Sequence, residues 1–284
     1  MAFAGTTLFS LKAILIKVAY GFGAESFTVL FLRMAFALPI FLVLGAIHLR
    51  RHGTGRLSWR TGLASAVLGF LSYYLASTFD FLGLTLISAQ LERLILFLYP
   101  TFVALLAIAF LQERMRPRMV LALFLSYGGV VLLFGHEVRL SGDGVWVGAG
   151  LVLCAALSFA VYATFAKPMV DRLGSILFTV LAMSAASIAV FIHALLRGVS
   201  LDAPPSVWGL GAAIAVFSTV LPSFMIAEGI RRLGAIRAGI IGGAGPMVTA
   251  VLAVSVLGEP FGLFHLGGIA LTTVGMVLLI ADRK

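Results

Sequence analysis

The 284-residue chain is 61% hydrophobic and 11% charged, against about 45–50% and 25% in an average soluble domain, which excludes a water-soluble globule. Its formal net charge of +9 does not indicate a nucleic-acid partner, because the arginines and lysines fall in short clusters between apolar runs and not on one basic face. Cys154 is the only cysteine, so neither a disulfide framework nor a CxxC metal or redox site is available.

Apolar runs able to cross roughly 30 Å of hydrocarbon as helices are predicted at about 2–20, 27–47, 61–82, 88–111, 117–135, 145–166, 175–195, 207–227, 238–257 and 264–281. The runs are continuous and not alternating, which argues against a β-barrel. Lys12 and Lys17 interrupt the first run, so it is predicted as a membrane helix and not as a cleavable leader. Ten spans place Arg50, Arg51, Arg56 and Arg60, the Arg114–Arg118 cluster and the Arg231–Arg237 cluster on one side of the membrane. Fourteen of the twenty basic residues fall on that side and only Arg139 and Arg197 on the other. By the positive-inside rule the first side is cytoplasmic and both termini lie there.

The second half echoes the first. Phe27-Thr28-Val29-Leu30 recurs as Phe178-Thr179-Val180-Leu181, and Trp59, Gly62, Ala64 and Ala66 correspond to Trp208, Gly211, Ala213 and Ala215. Gly83, Pro100, Glu113 and Gly129 correspond to Gly229, Pro246, Glu259 and Gly275, each 146 residues on. Two repeats of five helices enter the membrane from opposite sides, a construction used by secondary transporters with a site between the repeats. The predicted fold is therefore all-α: ten transmembrane helices as two inverted five-helix repeats, residues 1–137 and 145–282, around a central cavity.

The stretch Ser88-Ala-Gln-Leu-Glu-Arg-Leu-Ile-Leu-Phe-Leu-Tyr-Pro100, continuing to Leu111-Gln-Glu113-Arg114, resembles the fourth helix of EamA-type proteins of the drug/metabolite transporter superfamily. Gly245-Pro246 followed by Leu257-Gly258-Glu259-Pro260 is similar to the matching segment of the second EamA repeat, and Lys17 and Arg33 fall where that family often carries a lysine and an arginine. The first helix departs from the family pattern, with Phe9-Ser10 in place of a common Trp-Gly pair. The resemblance implies walls made by helices 1 to 4 and 6 to 9, with helices 5 and 10 bracing them. It also implies transport of small metabolites; bacterial members include exporters of aromatic amino acids.

Pro100 and Pro246 are expected to kink helices 4 and 9, the latter within Gly242-Gly243-Ala244-Gly245-Pro246, and paired Gly/Pro interruptions of this kind point to a transporter's site. They serve either as hinges or cavity walls, or to let helices pack closely; Pro222 in helix 8 is a third candidate hinge. Glu92 and Tyr99 are seven apart and share a face of helix 4. Glu92 either binds a substrate ammonium or carries a coupling proton, or else complements the helix N-terminus and pairs with a cation. Lys12, Lys17, Arg33, Asp80 and Arg93 are candidate gate or ion-pair residues, the last four in the outer half of the first repeat. Lys12 lies nearer mid-membrane, where an unpaired cation costs about 2.5–3.5 kcal/mol on insertion scales. It either meets a substrate carboxylate or snorkels to carbonyls and water.

Tyr74, Ser77 and Thr78 in helix 3, Ser158 and Tyr162 in helix 6, Ser218 in helix 8, and Gly242, Gly245 and Thr249 in helix 9 form polar and aromatic faces at helical spacing. With Glu92 and Tyr99 they are the candidate cavity lining, suited to a zwitterion with a bulky side chain; for each residue alone, helix packing is an equal explanation. The histidines lack metal-ligand spacing, and no P-loop, nucleophile elbow or dinucleotide fingerprint occurs. Neither an enzyme nor a cofactor or metal is expected.

The predicted function is export of small metabolites, foremost amino acids, across a bacterial inner membrane by alternating access. A multidrug or purine permease and a lipid-linked sugar flippase are the alternatives. The partners are a small-molecule substrate and the lipid bilayer. A monomer is compatible with the sequence, as is dimerisation through small residues such as Gly211 and Ala215.

Overall fold

A computed structural model describes residues 2–53, 57–111, 117–233 and 245–281, and among these every regular element is a helix. The first half comprises α1 (Ala2–Gly21), α2 (Ser26–His52), α3 (Trp59–Gly69), α4 (Ala76–Gly83), α5 (Ala89–Leu96), α6 (Tyr99–Leu111) and α7 (Pro117–Ser141). The second comprises α8 (Gly144–Leu173), α9 (Ser175–Arg197), α10 (Pro205–Ala215), α11 (Leu221–Leu233), α12 (Gly245–Leu257) and α13 (Leu263–Ala281). Among the described residues seven helical stretches are long and apolar enough to cross a membrane, from Ser26–Arg51 to Pro205–Gly229, and Gly245–Leu257 and Leu263–Leu278 are shorter apolar helices. The predicted run at 238–257 is described only from Gly245 onward.

Local chemistry sets the ends. Ser58 accepts the Thr61 N–H while the Thr61 hydroxyl accepts the Ser58 N–H, a reciprocal cap at the start of α3. Gly198 closes α9 in the left-handed region at φ 60°, where a side chain would meet the backbone.

Two predicted spans are continuous but irregular inside. A π-helical segment, Phe70–Leu75, joins α3 to α4, and a second, Val216–Val220, joins α10 to α11. Their starts are 146 residues apart, the interval that separates Pro100 from Pro246.

The predicted span 88–111 is broken, where the sequence suggested a kinked helix. α5 stops at Leu96 and α6 starts at Tyr99. Pro100 has no N–H, and its ring would collide with the carbonyl four residues earlier, that of Leu96. Turn hydrogen bonds from Phe97 N–H to Arg93 O and from Leu98 N–H to Ile95 O end the first piece. The Thr101 hydroxyl donates to Leu98 O at 2.6 Å and starts the second. Pro100 stands second in α6, where the missing N–H breaks no ladder; Pro222 directly follows the second π segment inside a continuous stretch, and Pro246 is the second described residue of α12.

Small residues bring the helices together. α7 lies along α13: the face of Gly129 meets Gly268 and Thr272, and the face of Gly275 meets Ala122 and Ser126. Gly69 of α3 presses on the backbone of Ala182 in α9, and Gly211 of α10 presses on Leu32 in α2. α1 packs on α11 and α12, and α8 on α4 and α6. The largest apolar core runs through α1, α2, α8 and α9, with Phe41, Phe81, Tyr162 and Phe178 almost fully buried. Leu195, Leu196, Phe124 and Leu263 are exposed on the outside, as a face bathed in lipid requires.

Because a methyl group on Gly69 would overlap the Ala182 backbone, Gly69→Ala should cost about 1–3 kcal/mol through overpacking. It should lower the thermal unfolding midpoint of the detergent-solubilised protein. Gly128→Ala, which meets nothing within 4 Å, should leave the midpoint equal or slightly raised.

Candidate functional site

Five charged side chains converge where α1, α2, α4 and α5 meet. Lys12 of α1 donates to Asp80 Oδ2 of α4 at 2.5 Å and lies 3.7 Å from Glu92 Oε1 of α5. Lys12 is 4% exposed and Glu92 0%. The sequence counts both Lys12 and Asp80 among its ion-pair candidates without saying which meets which. Lys12 reaches Asp80 because 68 residues of chain return α4 beside α1, a proximity that no local spacing reveals.

Arg93, next to Glu92 on α5, donates from Nη2 to Ser10 Oγ at 3.0 Å. Its guanidinium lies against Gly245, at the first turn of α12, where a Cβ would come within 2.5 Å of Nη2. The Ser10 hydroxyl donates to Gly245 O at 3.3 Å, and the Thr249 hydroxyl donates to Ser10 O at 3.4 Å. The ring of Phe9 lies 4.7 Å from the Lys12 ammonium and 5.5 Å from the Arg93 guanidinium carbon, within range of both as a cation–π partner. Phe9 and Ser10, the pair at which the sequence leaves the EamA pattern, thus sit inside the charge cluster.

Arg33 of α2 is buried and tied to both π-helical regions. Its Nε donates to Thr219 Oγ1 at 2.8 Å, inside the second π segment, and its Nη1 donates to Ser77 Oγ at 3.1 Å, just beyond the first. The Phe81 ring lies 5.5 Å from the guanidinium carbon. Thr219 also donates to Ile214 O, five residues back, at 3.0 Å, so the widened turn and the arginine meet at one hydroxyl.

An aromatic row adjoins the charges. Tyr99, at the start of α6, meets Phe159 with ring centroids 4.9 Å apart; Phe159 meets Tyr162 at 5.5 Å, and Tyr162 meets Tyr73 at 5.6 Å. The sequence singled out Tyr74. It is Tyr73 that faces Tyr162, with the two hydroxyls 3.5 Å apart, while Tyr74 turns to His193 on α9 at 2.9 Å. A π turn takes in an extra residue and rotates the rest of the helix away from its ideal phase, so a 3.6-residue count across Phe70–Leu75 no longer tells which side chains share a face.

The other predicted residues are more dispersed. Ser77 serves Arg33, and Thr78 is buried with no partner for its hydroxyl. The Ser158 hydroxyl donates to Cys154 O in its own helix at 2.8 Å, and Ser218 donates to Leu8 O at 3.4 Å. Gly242 lies outside the described residues.

Two carboxylates outside the predicted site hold the N-terminus of α5. Glu259, in the loop between α12 and α13, accepts Ala89 N–H at 2.8 Å and Gln90 N–H at 3.3 Å, and lies 3.9 Å from the Lys17 ammonium. Glu137, near the end of α7, accepts from the Ser88 N–H at 3.3 Å and from the Ser88 hydroxyl. Glu92 was one candidate for complementing this positive helix end. Glu137 and Glu259 do so directly, and Glu92 points to Lys12. Beside them is a cavity of about 120 Å³ lined by Ser88, Gln90, His136, Glu137, Pro260 and His265. Glu259 was visible as part of a repeated motif; Glu137 carried no signal beyond being an acid at the end of an apolar run.

The EamA-like transporter family matches residues 1–135 and again residues 146–281. The uncharacterized transporter YcbK of Bacillus subtilis (strain 168) is 31% identical over 96% of this chain and 90% of its own length. The uncharacterized transporter YyaM of the same organism is 25% identical over 77% of this chain and 73% of its own. An uncharacterized transporter of Archaeoglobus fulgidus is 26% identical over 80% and 81%. A protein of known crystal structure superposes with a TM-score of 0.74 over 99% of this chain and 96% of its own, at 19% identity, a likeness of fold. Two matches of one family that together span nearly the whole chain, on a multi-pass helical structure, mean that the chain belongs to the EamA-like transporter family and is a transporter, not an enzyme.

Proposed function

We infer that the protein is a secondary transporter that exports amino acids, chiefly aromatic or bulky neutral ones, across a bacterial inner membrane. It works by alternating access between two five-helix halves of inverted topology, residues 1–137 and 145–282, with both termini cytoplasmic. Several observations support the halves. The family matches twice, at nearly those intervals. The π segments, and Pro100 and Pro246, recur at the same spacing of 146 residues. The packing is reciprocal as well: α3 lies on α9 as α10 lies on α2, and α8 meets α4 and α6 as α1 meets α11 and α12.

One observation carries the substrate class. The broken helix α5–α6 sets Glu92 and Arg93 on one piece and Tyr99 at the start of the next, so opposite charges and an aromatic row adjoin. A zwitterion with a bulky apolar side chain matches both parts. Discontinuous helices that set charges at membrane depth are the recurrent substrate sites of secondary transporters.

Proteoliposomes loaded with a panel of labelled amino acids, purines and cationic drugs test this directly. Phenylalanine or tryptophan should exchange. Failure of every amino acid, or exchange of only purines or cations, would sink the substrate class.

Tyr73→Ala removes the ring that faces Tyr162, a contact worth about 0.5–1.5 kcal/mol beyond its buried area. It should raise the half-saturation concentration for phenylalanine several-fold more than Tyr74→Ala does. Equal effects would show that the row around Tyr162 does not contact substrate.

A further inference from the structure

The charge cluster contains an imbalance that ion pairing alone does not account for. Glu92 is wholly buried, yet among the described residues no N–H or O–H group donates to either of its carboxyl oxygens; Asp80 Oδ1 is likewise buried without a donor. Lys12 gives its short contact to Asp80 Oδ2 and stands 3.7 Å from Glu92 Oε1, beyond hydrogen-bond distance. The other groups that bear on the pair are committed elsewhere. Arg93 donates to Ser10, Arg33 donates to Thr219 and Ser77, and the Tyr20 hydroxyl donates to Phe81 O. Tyr99, on α6, bears on Arg93. α12 brings Gly245 and Thr249, whose contacts are to Arg93 and Ser10.

An ionised carboxylate buried without a donor is among the costliest things a protein can hold, whereas the neutral acid is far cheaper. A cluster built only to hold helices together would be expected to fill these lone pairs. Among the described residues Lys12 is the cation within 4 Å of Glu92, and its short contact goes to Asp80, while Arg93 bears on Glu92 from the next position of α5.

We propose that Glu92, Asp80 and Lys12 form a proton-binding site in which a proton competes with the Lys12 ammonium for the Glu92 carboxyl group. In the conformation described here Glu92 carries the proton and Lys12 pairs with Asp80. When the Glu92 O–H bond breaks, the proton passes to water and the ammonium shifts to bridge both carboxylates. When a proton returns from water, the O–H bond reforms and the ammonium falls back to Asp80. No electrons move, and charge balances because each proton taken up cancels the carboxylate charge that held Lys12.

The displacement has a mechanical consequence. α1, which carries Lys12, also carries Ser10, which is hydrogen-bonded to Gly245 and Thr249 at the start of α12. A shift of Lys12 relative to α4 and α5 therefore pulls on the contact between the two halves of the chain. Such a site couples proton binding to alternating access, and in that respect it rests on the transport function inferred above. The proton site itself does not.

The full-length protein in detergent, titrated by infrared difference spectroscopy, tests the site without any substrate. A carbonyl band of a protonated carboxyl should be present near neutral pH and vanish in Glu92→Gln. It should also vanish in Asp80→Asn, where Lys12 is released to Glu92. Absence of the band in the wild type, or its survival in Glu92→Gln, overturns the proposal.

Proteoliposomes with labelled phenylalanine as the probe test the coupling. An imposed gradient of one pH unit should drive up to about tenfold accumulation in the wild type at one proton per molecule, since each 1.4 kcal/mol is a factor of ten. Glu92→Gln should show no gradient-driven accumulation, and whatever phenylalanine exchange it retains should be flat with pH. If Glu92→Gln fails to fold, as judged by gel filtration, Glu92→Asp takes its place: it should accumulate phenylalanine with a displaced pH profile, and an unchanged profile counts against the site. Wild-type exchange without gradient-driven accumulation refutes the coupling while leaving transport intact. Absence of phenylalanine exchange in the wild type together with a Glu92-dependent carboxyl band refutes the substrate assignment and retains the site.

Discussion

Hydrocarbon offers no hydrogen bonds, so any backbone group freed inside a membrane must be answered by the protein itself. The break between α5 and α6 frees such groups, and the turn there gathers donors: the Thr101 hydroxyl and the Thr101 and Phe102 N–H groups converge on Leu98 O. The opposite end of α5 has the same need, and there Glu259 and Glu137 receive the amides of Ser88, Ala89 and Gln90. Those carboxylates come from distant parts of the chain. They bind the start of α5 to α7 and to the loop before α13, and so fix where α5 points.

Similar logic explains the position of the charges. A lysine at membrane depth must find a counter-charge or water, and Lys12 finds Asp80 on a helix that returns beside it. Arg33 instead finds hydroxyls near both π segments, where widened turns change the direction of helices that otherwise run straight. The buried cations do different things: Lys12 faces carboxyl groups, Arg33 joins two irregular helices, and Arg93 holds Ser10 against Gly245.

Much of this was legible in the amino-acid sequence, for physical reasons that also mark the limits. Continuous apolar runs follow directly from bilayer thickness, and the basic clusters between them from insertion, so the helical class and the approximate spans could be read. Pro100 and Pro246 were legible as interruptions because proline acts locally; that Pro100 starts a new helix depended on the partners available to the freed carbonyls, which lie outside the local sequence. The π segments left no recognisable local mark, and they displaced the helical count by enough to exchange Tyr74 for Tyr73. The partners of Lys12 and the acids at α5 depend on helix neighbours far apart in sequence, which periodicity cannot provide.

The seam between α7 and α13 has a further implication. Gly129 receives Thr272 where Gly275 receives Ser126, and each residue of one pair is the 146-residue counterpart of a residue in the other. A surface that meets its own counterpart in this way is what two copies of a single chain present to each other across a twofold axis. The seam is thus reciprocal in its contacts, so that enlarging either glycine would press on the hydroxyl residue of the facing helix at the counterpart position.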